Sequence, residues 1–263
     1  MVCALVATWW TGPSQRRLFS SVEIREDNYE QWINGVVLPG PKVHLLEHVR
    51  SLWHRRDLDS GTRYRMQDLV RDSGTYLSAL RNLHILTLFK IRVEHISEDQ
   101  FHTCFSAFRG TLTYLSLDTF ATSFSAFVTL VDYFPNVRTL RLGLTELEPD
   151  ERPIPPLSRP LRGKLLVHHV RSNSLKFLDQ FAELDLEYEE LIIGSLPSLF
   201  MRTRFLESAL QISTNTVKFL RLTAELRCEQ PLLALVKTTS LPNPLTPKPE
   251  LRCRSATLDS SKS

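Results

Sequence analysis

The sequence predicts an α/β solenoid, in which short parallel strands stack into one sheet on a concave face while helices run along the outside. Three observations carry that prediction. A short apolar pattern recurs along the chain, amphipathic helix-like segments fall between its copies, and no window approaches the 18 or more apolar residues of a spanning helix. The 263 residues are 42% hydrophobic and 23% charged, the balance of a soluble globular chain rather than of a disordered or fibrous one.

The recurring pattern is Φ-x-x-L-x-L, where Φ is Leu, Val or Phe. Its first and weakest copy is Val49-x-x-Leu52-x-His54. Leu83-x-x-Leu86-x-Leu88, Leu112-x-x-Leu115-x-Leu117 and Val137-x-x-Leu140-x-Leu142 follow, then Phe181-x-x-Leu184-x-Leu186 and Val217-x-x-Leu220-x-Leu222. Between the fourth-position leucines the steps are 34, 29, 25, 44 and 36 residues, each about one strand plus one helix. The longest step holds Pro149, Pro153, Pro155, Pro156 and Pro160, which suit neither helix nor central strand and predict an exposed loop over 149–160.

Helices are expected between the strands. Phe120, Phe124, Phe127, Val128, Leu130, Val131 and Phe134 keep the three-and-four spacing of an amphipathic helix over 120–134, and Pro135 stops it. Similar helices are expected over 66–80, 98–108 and 197–210. Glu183, Asp185, Glu187 and Glu189 alternate with Leu184, Leu186 and Tyr188, the period of a strand with one acidic face. Over 201–263 ten Lys and Arg face five Asp and Glu, and Pro242, Pro244, Pro247 and Pro249 lead into a Ser-rich end, so 229–263 is expected to be a disordered basic tail.

The formal net charge is only +3, so nothing steers the whole molecule toward nucleic acid or a membrane. Cysteines at 3, 104, 228 and 253 share no metal-binding or disulfide-rich spacing, and no Asn-x-Ser/Thr sequon occurs. The apolar start carries no basic segment and no clear cleavage site. Together these predict a reduced, cytoplasmic or nuclear protein.

Leu83-His-Ile-Leu-Thr-Leu, Phe134-Pro-Asn-Val-Arg-Thr-Leu-Arg-Leu, and the opening Val2-Cys-Ala-Leu-Val-Ala-Thr-Trp with Arg16-Arg-Leu-Phe-Ser-Ser-Val resemble the fungal F-box-like proteins with irregular leucine-rich repeats. The resemblance covers roughly residues 1–228. It implies an irregular leucine-rich-repeat solenoid over 25–228, preceded over 1–24 by an F-box remnant leading into the first repeat. It also implies a role in protein interaction: a substrate receptor holding a target protein for ubiquitylation. Two departures stand out. The Leu-Pro helix with which the family docks on the Skp-type adaptor of a cullin-RING ligase is not in this sequence, so adaptor binding is expected only if the F-box is completed. Thr145, where regular repeats carry asparagine, leaves no asparagine ladder after the strand at Val137.

On a strand, neighbours alternate sides, so the residue between the last two apolar positions of each copy should line the binding face. That row reads Trp53, Thr87, Ser116, Arg141, Asp185 and Arg221. No nucleotide or dinucleotide fingerprint, nucleophile elbow or cysteine pair accompanies it, and neither an enzyme nor a cofactor is expected. One competing motif exists. His44-Leu-Leu-Glu47-His48 matches the order of inverted zinc peptidases, and on an α-helix its two imidazoles would share a face with Glu47 as general base of a zinc-dependent hydrolase.

Overall fold

A computed structural model describes residues 8–25, 27–34, 43–55, 64–65, 69, 71, 74, 76–93, 98–119, 121–143, 146–148, 156–168, 184, 186–194 and 217–222. The chain divides into two units, 1–225 and 226–263, and the second, with the whole of the expected 229–263 tail, lies outside the described residues. Helix α1 (Thr8–Phe19) leads into β1 (Ser21–Ile24), followed by the short α2 (Tyr29–Trp32), a 3₁₀ helix (Val43–His48) and β2 (Ser51–Arg55). Then come β3 (Tyr64–Arg65), β4 (Ile85–Phe89), β5 (Ile91–Val93), α3 (Glu98–Phe105) with a 3₁₀ turn (Ser106–Phe108), β6 (Tyr114–Asp118) and β7 (Ala121–Ser123). Helix α4 (Phe124–Tyr133), β8 (Thr139–Leu142), β9 (Glu146–Glu148), β10 (Leu161–Val167), β11 (Leu186–Ile193) and β12 (Phe219–Leu222) complete the order. No helix among the described residues is long and apolar enough to cross a membrane.

Two parallel sheets result. The larger has eight strands in the order β1-β2-β4-β6-β8-β10-β11-β12, and the smaller has four in the order β3-β5-β7-β9, so both follow the order of the chain. Val22, Leu52, Leu86, Leu115, Leu140, Leu165, Leu191 and Leu220 stand in direct register across the larger sheet. The interior members of this row, from Leu52 to Leu140, are 1% exposed or less. The next inward row runs Ile24, His54, Leu88, Leu117, Leu142 and Val167, with the His54 imidazole the one polar side chain in it. These leucines form strands because a parallel strand buried on one face needs an apolar residue at every second position.

The helices close the core from the other side. Phe105, Phe108 and Phe134 meet with ring centroids 5.8 to 5.9 Å apart, joining α3 to the end of α4. Ser123 caps α4 by accepting from the Ala126 amide, and Pro135 follows its end as the sequence predicts. Two arginines serve the carbonyls left open at that end: Arg109 donates from Nε to the Tyr133 oxygen at 3.0 Å, and Arg159 donates to the Phe134 oxygen. The expected 98–108 helix is present as α3 and its 3₁₀ turn. Of 66–80 only part is described, with Leu69, Tyr76, Leu77 and Leu80 buried, and 197–210 lies outside the described residues.

One sequence expectation needs correction. The copy assigned to Phe181, Leu184 and Leu186 is not the repeat position of the strand: Leu184 is buried but precedes β11, and Leu191 holds that position in register with Leu165 and Leu220. Of the expected 149–160 loop only 156–160 is described, as neither helix nor strand, and the 44-residue step also holds a strand the pattern does not show, β10 (Leu161–Val167), directly after Pro160. β10 keeps its inward period at Leu161, Leu165 and Val167 but escapes the pattern because Arg162 stands where Φ is expected and Val167 where the last leucine is. Gly163, at φ +98°, lies beside a register shift that leaves Glu189 of β11 as the extra residue.

The smaller sheet has no counterpart in the sequence reading. Lys90 (φ 56°) and Thr119 (φ 53°) turn the chain left-handed directly after β4 and β6, sending it from the large sheet into β5 and β7.

Candidate functional site

The outer face of the eight-stranded sheet, opposite the leucine rows, is where the sequence reading put the binding residues. Register places four of them in one line: Trp53 pairs with Thr87, Thr87 with Ser116, and Ser116 with Arg141. Beyond Arg141 the line continues through Leu166 and Ile192 to Arg221. Asp185 lies outside the described residues, and the rungs between Arg141 and Arg221 belong to Leu166 and Ile192 instead. An alternating-charge ladder of Arg141, Asp185 and Arg221 is therefore not what these strands build. At the other end the line begins one rung earlier, with Glu23 opposite Trp53.

Exposure varies sharply along this row. Trp53 is 49% exposed, whereas Thr87 is 7% and Ser116 0%. Small side chains at the two central rungs sit below the level of their neighbours, with Ile85 and Tyr114 on one side and Phe89 and Asp118 on the other. Arg141 lies along this floor, donating from Nη1 to Ser116 Oγ at 3.4 Å and reaching Asp118 at 3.9 Å. Asp118 has room because Gly143, next along, carries no side chain: a Cβ there would strike the carboxylate. Past Arg141 the face is paved with ion pairs, Arg162–Glu187 at 2.6 Å, Lys164–Glu190 at 2.9 Å and Lys218–Glu189 at 3.2 Å. The bulge beside Gly163 sets Glu189 and Glu190 next to each other on this side, and of the acidic residues described here Glu187, Glu189 and Glu190 are each matched to a cation.

The β1–β4 corner carries the opposite balance. Arg25 grips Glu23 through Nε and Nη2 at 2.8 Å each, while Arg55 lies 4.8 Å and Lys90 5.7 Å from the centre of the Phe89 ring. Hydrogen bonding from Arg25, and the charges of Arg25 and Arg55, hold the Glu23 carboxyl below its ordinary range against a weaker opposing effect of burial.

No family model, curated protein or solved structure matches this chain. What the face can do is therefore argued from its chemistry alone: it offers side-chain area, charge and hydroxyl groups to a surface laid against it.

The competing zinc motif meets different geometry from that expected. Val43–His48 is a 3₁₀ helix, and at three residues per turn His44 and His48 stand a third of a turn apart instead of on one face. His44 and Glu47 are exposed. Among the described residues no group of three or more His, Cys, Asp or Glu side chains is placed to hold a metal ion. Cys104, buried against Gly74, has its thiol pushed up to about 11 by burial, which keeps it protonated and a poor nucleophile at neutral pH.

Proposed function

We propose that the chain is an irregular leucine-rich-repeat solenoid acting as a protein-interaction module, an F-box-like substrate receptor whose repeat face holds a target protein for ubiquitylation. The observation that carries this reading is the line Trp53, Thr87, Ser116 and Arg141, in direct register on the face of an all-parallel sheet turned away from the core. Chain-order stacking supports the repeat: from Val22 to Leu220 the aligned residues recur every 25 to 34 positions, tighter than the sequence pattern alone suggests. So does a repeated junction. The first amides of β2, β4, β6 and β8 (Ser51, Ile85, Tyr114 and Thr139) and the amides just before them (Arg50, His84, Thr113 and Arg138) donate in pairs to one carbonyl of the preceding unit: those of Ser20, Arg50, His84 and Thr113.

Such a sheet presents continuous area to a protein partner, and its exposed Trp and Arg are the side chains that dominate binding energy at protein interfaces. Target binding by the repeat face does not depend on docking to a Skp-type adaptor.

Site-specific photo-crosslinking in cells tests the proposal. A photoreactive residue at Trp53 or Arg221, on the sheet face, should capture one and the same protein. Placed at Thr129 or Arg109, on the helical side, it should not. Capture from the helical side alone would contradict the assignment.

A further inference from the structure

We propose that the partner places a carboxamide, the side-chain head of Gln or Asn, between Arg141 and Asp118, with a large apolar residue four positions away against Trp53; the inference rests on the interaction-face reading above and adds the partner's chemistry. Arg141 on β8 and Asp118 on β6 approach each other without closing into a hydrogen bond: Nη2 and Oδ2 stand 3.9 Å apart, and the two side chains are 32% and 23% exposed. Each has little else to hold. Among the described residues the guanidinium donates only the 3.4 Å bond to Ser116 Oγ, and the carboxylate receives only the 3.4 Å bond from Thr119 Oγ1. A group rich in N–H donors and a group that accepts at both oxygens are thus held side by side and partly buried, with most of their hydrogen-bonding capacity unused by the protein.

A carboxamide meets both at once. Its oxygen accepts from Arg141 and its NH2 donates to Asp118; since that oxygen and nitrogen lie about 2.3 Å apart, two hydrogen bonds of about 2.9 Å reach heads 3.9 Å apart with little splay. Charged heads fare worse. A carboxylate gains Arg141 but is repelled by Asp118, and an ammonium gains Asp118 but is repelled by Arg141, so a neutral head with one donating and one accepting side fits best. Trp53, 49% exposed, marks the other end of the same row, with the short side chains of Thr87 and Ser116 between. From Trp53 to Arg141 is three strand spacings, about 14 Å, and an extended peptide crossing the strands at about 3.3 Å per residue covers it in four residues, which also bring its side chains back to the same side.

Panning a phage-displayed random heptapeptide library against the full chain tests this. The wild type should enrich peptides with Gln or Asn four positions from a large apolar residue, and replacing that carboxamide by the matching acid in the best peptide should weaken binding about tenfold. Arg141→Ala leaves Asp118 alone, so its selection should turn to Lys and Arg; Asp118→Ala leaves Arg141 alone, and its selection should turn to Asp and Glu. Gly143→Ala, whose Cβ would push the Asp118 carboxylate aside, should weaken the best wild-type peptide. Arg141 and Asp118 hold only long contacts, so these variants keep the fold, which an unchanged circular dichroism spectrum checks; the substitution within the peptide reads the same preference on unaltered protein. Selection of acidic, basic or hydroxyl side chains by the wild type, a preference that the variants leave unchanged, or no enrichment at all would overturn the inference. Crosslinking of a partner at Trp53 together with any of those results would leave the interaction face standing and remove only its carboxamide specificity.

Discussion

The side-chain amide of Asn136 donates to the carbonyl oxygen of Gly110 across 2.6 Å, tying the turn before β8 to the turn before β6. Asn82 does the same to the Glu47 carbonyl at 2.9 Å, and the Thr111 hydroxyl reaches the Leu83 carbonyl at 2.8 Å. Successive units are thus joined by side chains placed one residue ahead of the apolar pattern, at Leu83, Leu112 and Val137. A polar ladder runs in front of β4, β6 and β8.

Asn136→Ala should therefore lower stability by about 1 kcal/mol, the usual net worth of one hydrogen bond. Asn136→Asp, which keeps the shape but has no amide to donate, should lose at least as much. Urea denaturation of both variants checks this, and a midpoint shared with the wild type would remove the ladder from the account.

Among the described glycines, Gly163 is the least open to change. At φ +98°, with the Arg138 carbonyl oxygen where a Cβ would stand, Gly163→Ala should cost roughly 1 to 3 kcal/mol. Gly110, with open space at its Cβ position, provides the control: Gly110→Ala should change the thermal midpoint little.

Neighbours on one strand should behave oppositely. Leu140, 1% exposed, points into the core, and Leu140→Ala should cost roughly 2 to 5 kcal/mol. Arg141 holds only long contacts at 3.4 and 3.9 Å, and Arg141→Ala should cost less than about 1 kcal/mol while weakening a partner bound to the face. Chemical denaturation read beside partner affinity separates the two effects.

Acid should erase the contribution of Glu23. Its carboxyl titrates lower in the folded chain than in the unfolded one, so the folded state favours the charged form. That contribution is present above the ordinary glutamate pKa of about 4.3 and is lost as pH falls through the lower folded value. The melting-temperature gap between wild type and Glu23→Gln should be small, because the pair is exposed, visible at pH 7, and closed in strong acid. A gap that widens with acidification would reverse the assigned sign.

Strands β4, β6 and β8 and helix α4 were legible in the sequence because the strands keep strict alternation and α4 keeps helical spacing up to Pro135, although that spacing also ran back over β7, Ala121–Ser123. Legibility failed where residue choice departs from the pattern. Arg162 and Val167 take the Φ and last-leucine positions of β10, and the chance spacing of Phe181, Leu184 and Leu186 imitates a copy ahead of the true strand position at Leu191. Strands of two or three residues, as in the smaller sheet, are too short to show any period. Of the binding row, Trp53, Thr87, Ser116 and Arg141 could be read directly from the motif. Leu166 and Ile192 could not, since both lie on strands the motif missed or misplaced.

The most direct test of the central claim, one continuous outer row from Glu23 to Arg221, is disulfide formation between Arg141→Cys and Leu166→Cys. In register on adjacent strands, the two Cα atoms stand about 4.8 Å apart, within disulfide range. Under mild oxidation, peptide mapping should recover the 141–166 crosslink in the folded protein, and a Glu23→Cys/Arg141→Cys pair, on strands with three others between them, should give none. Absence of the 141–166 crosslink, or equal yield from the distant pair, would contradict the row and the binding face built on it.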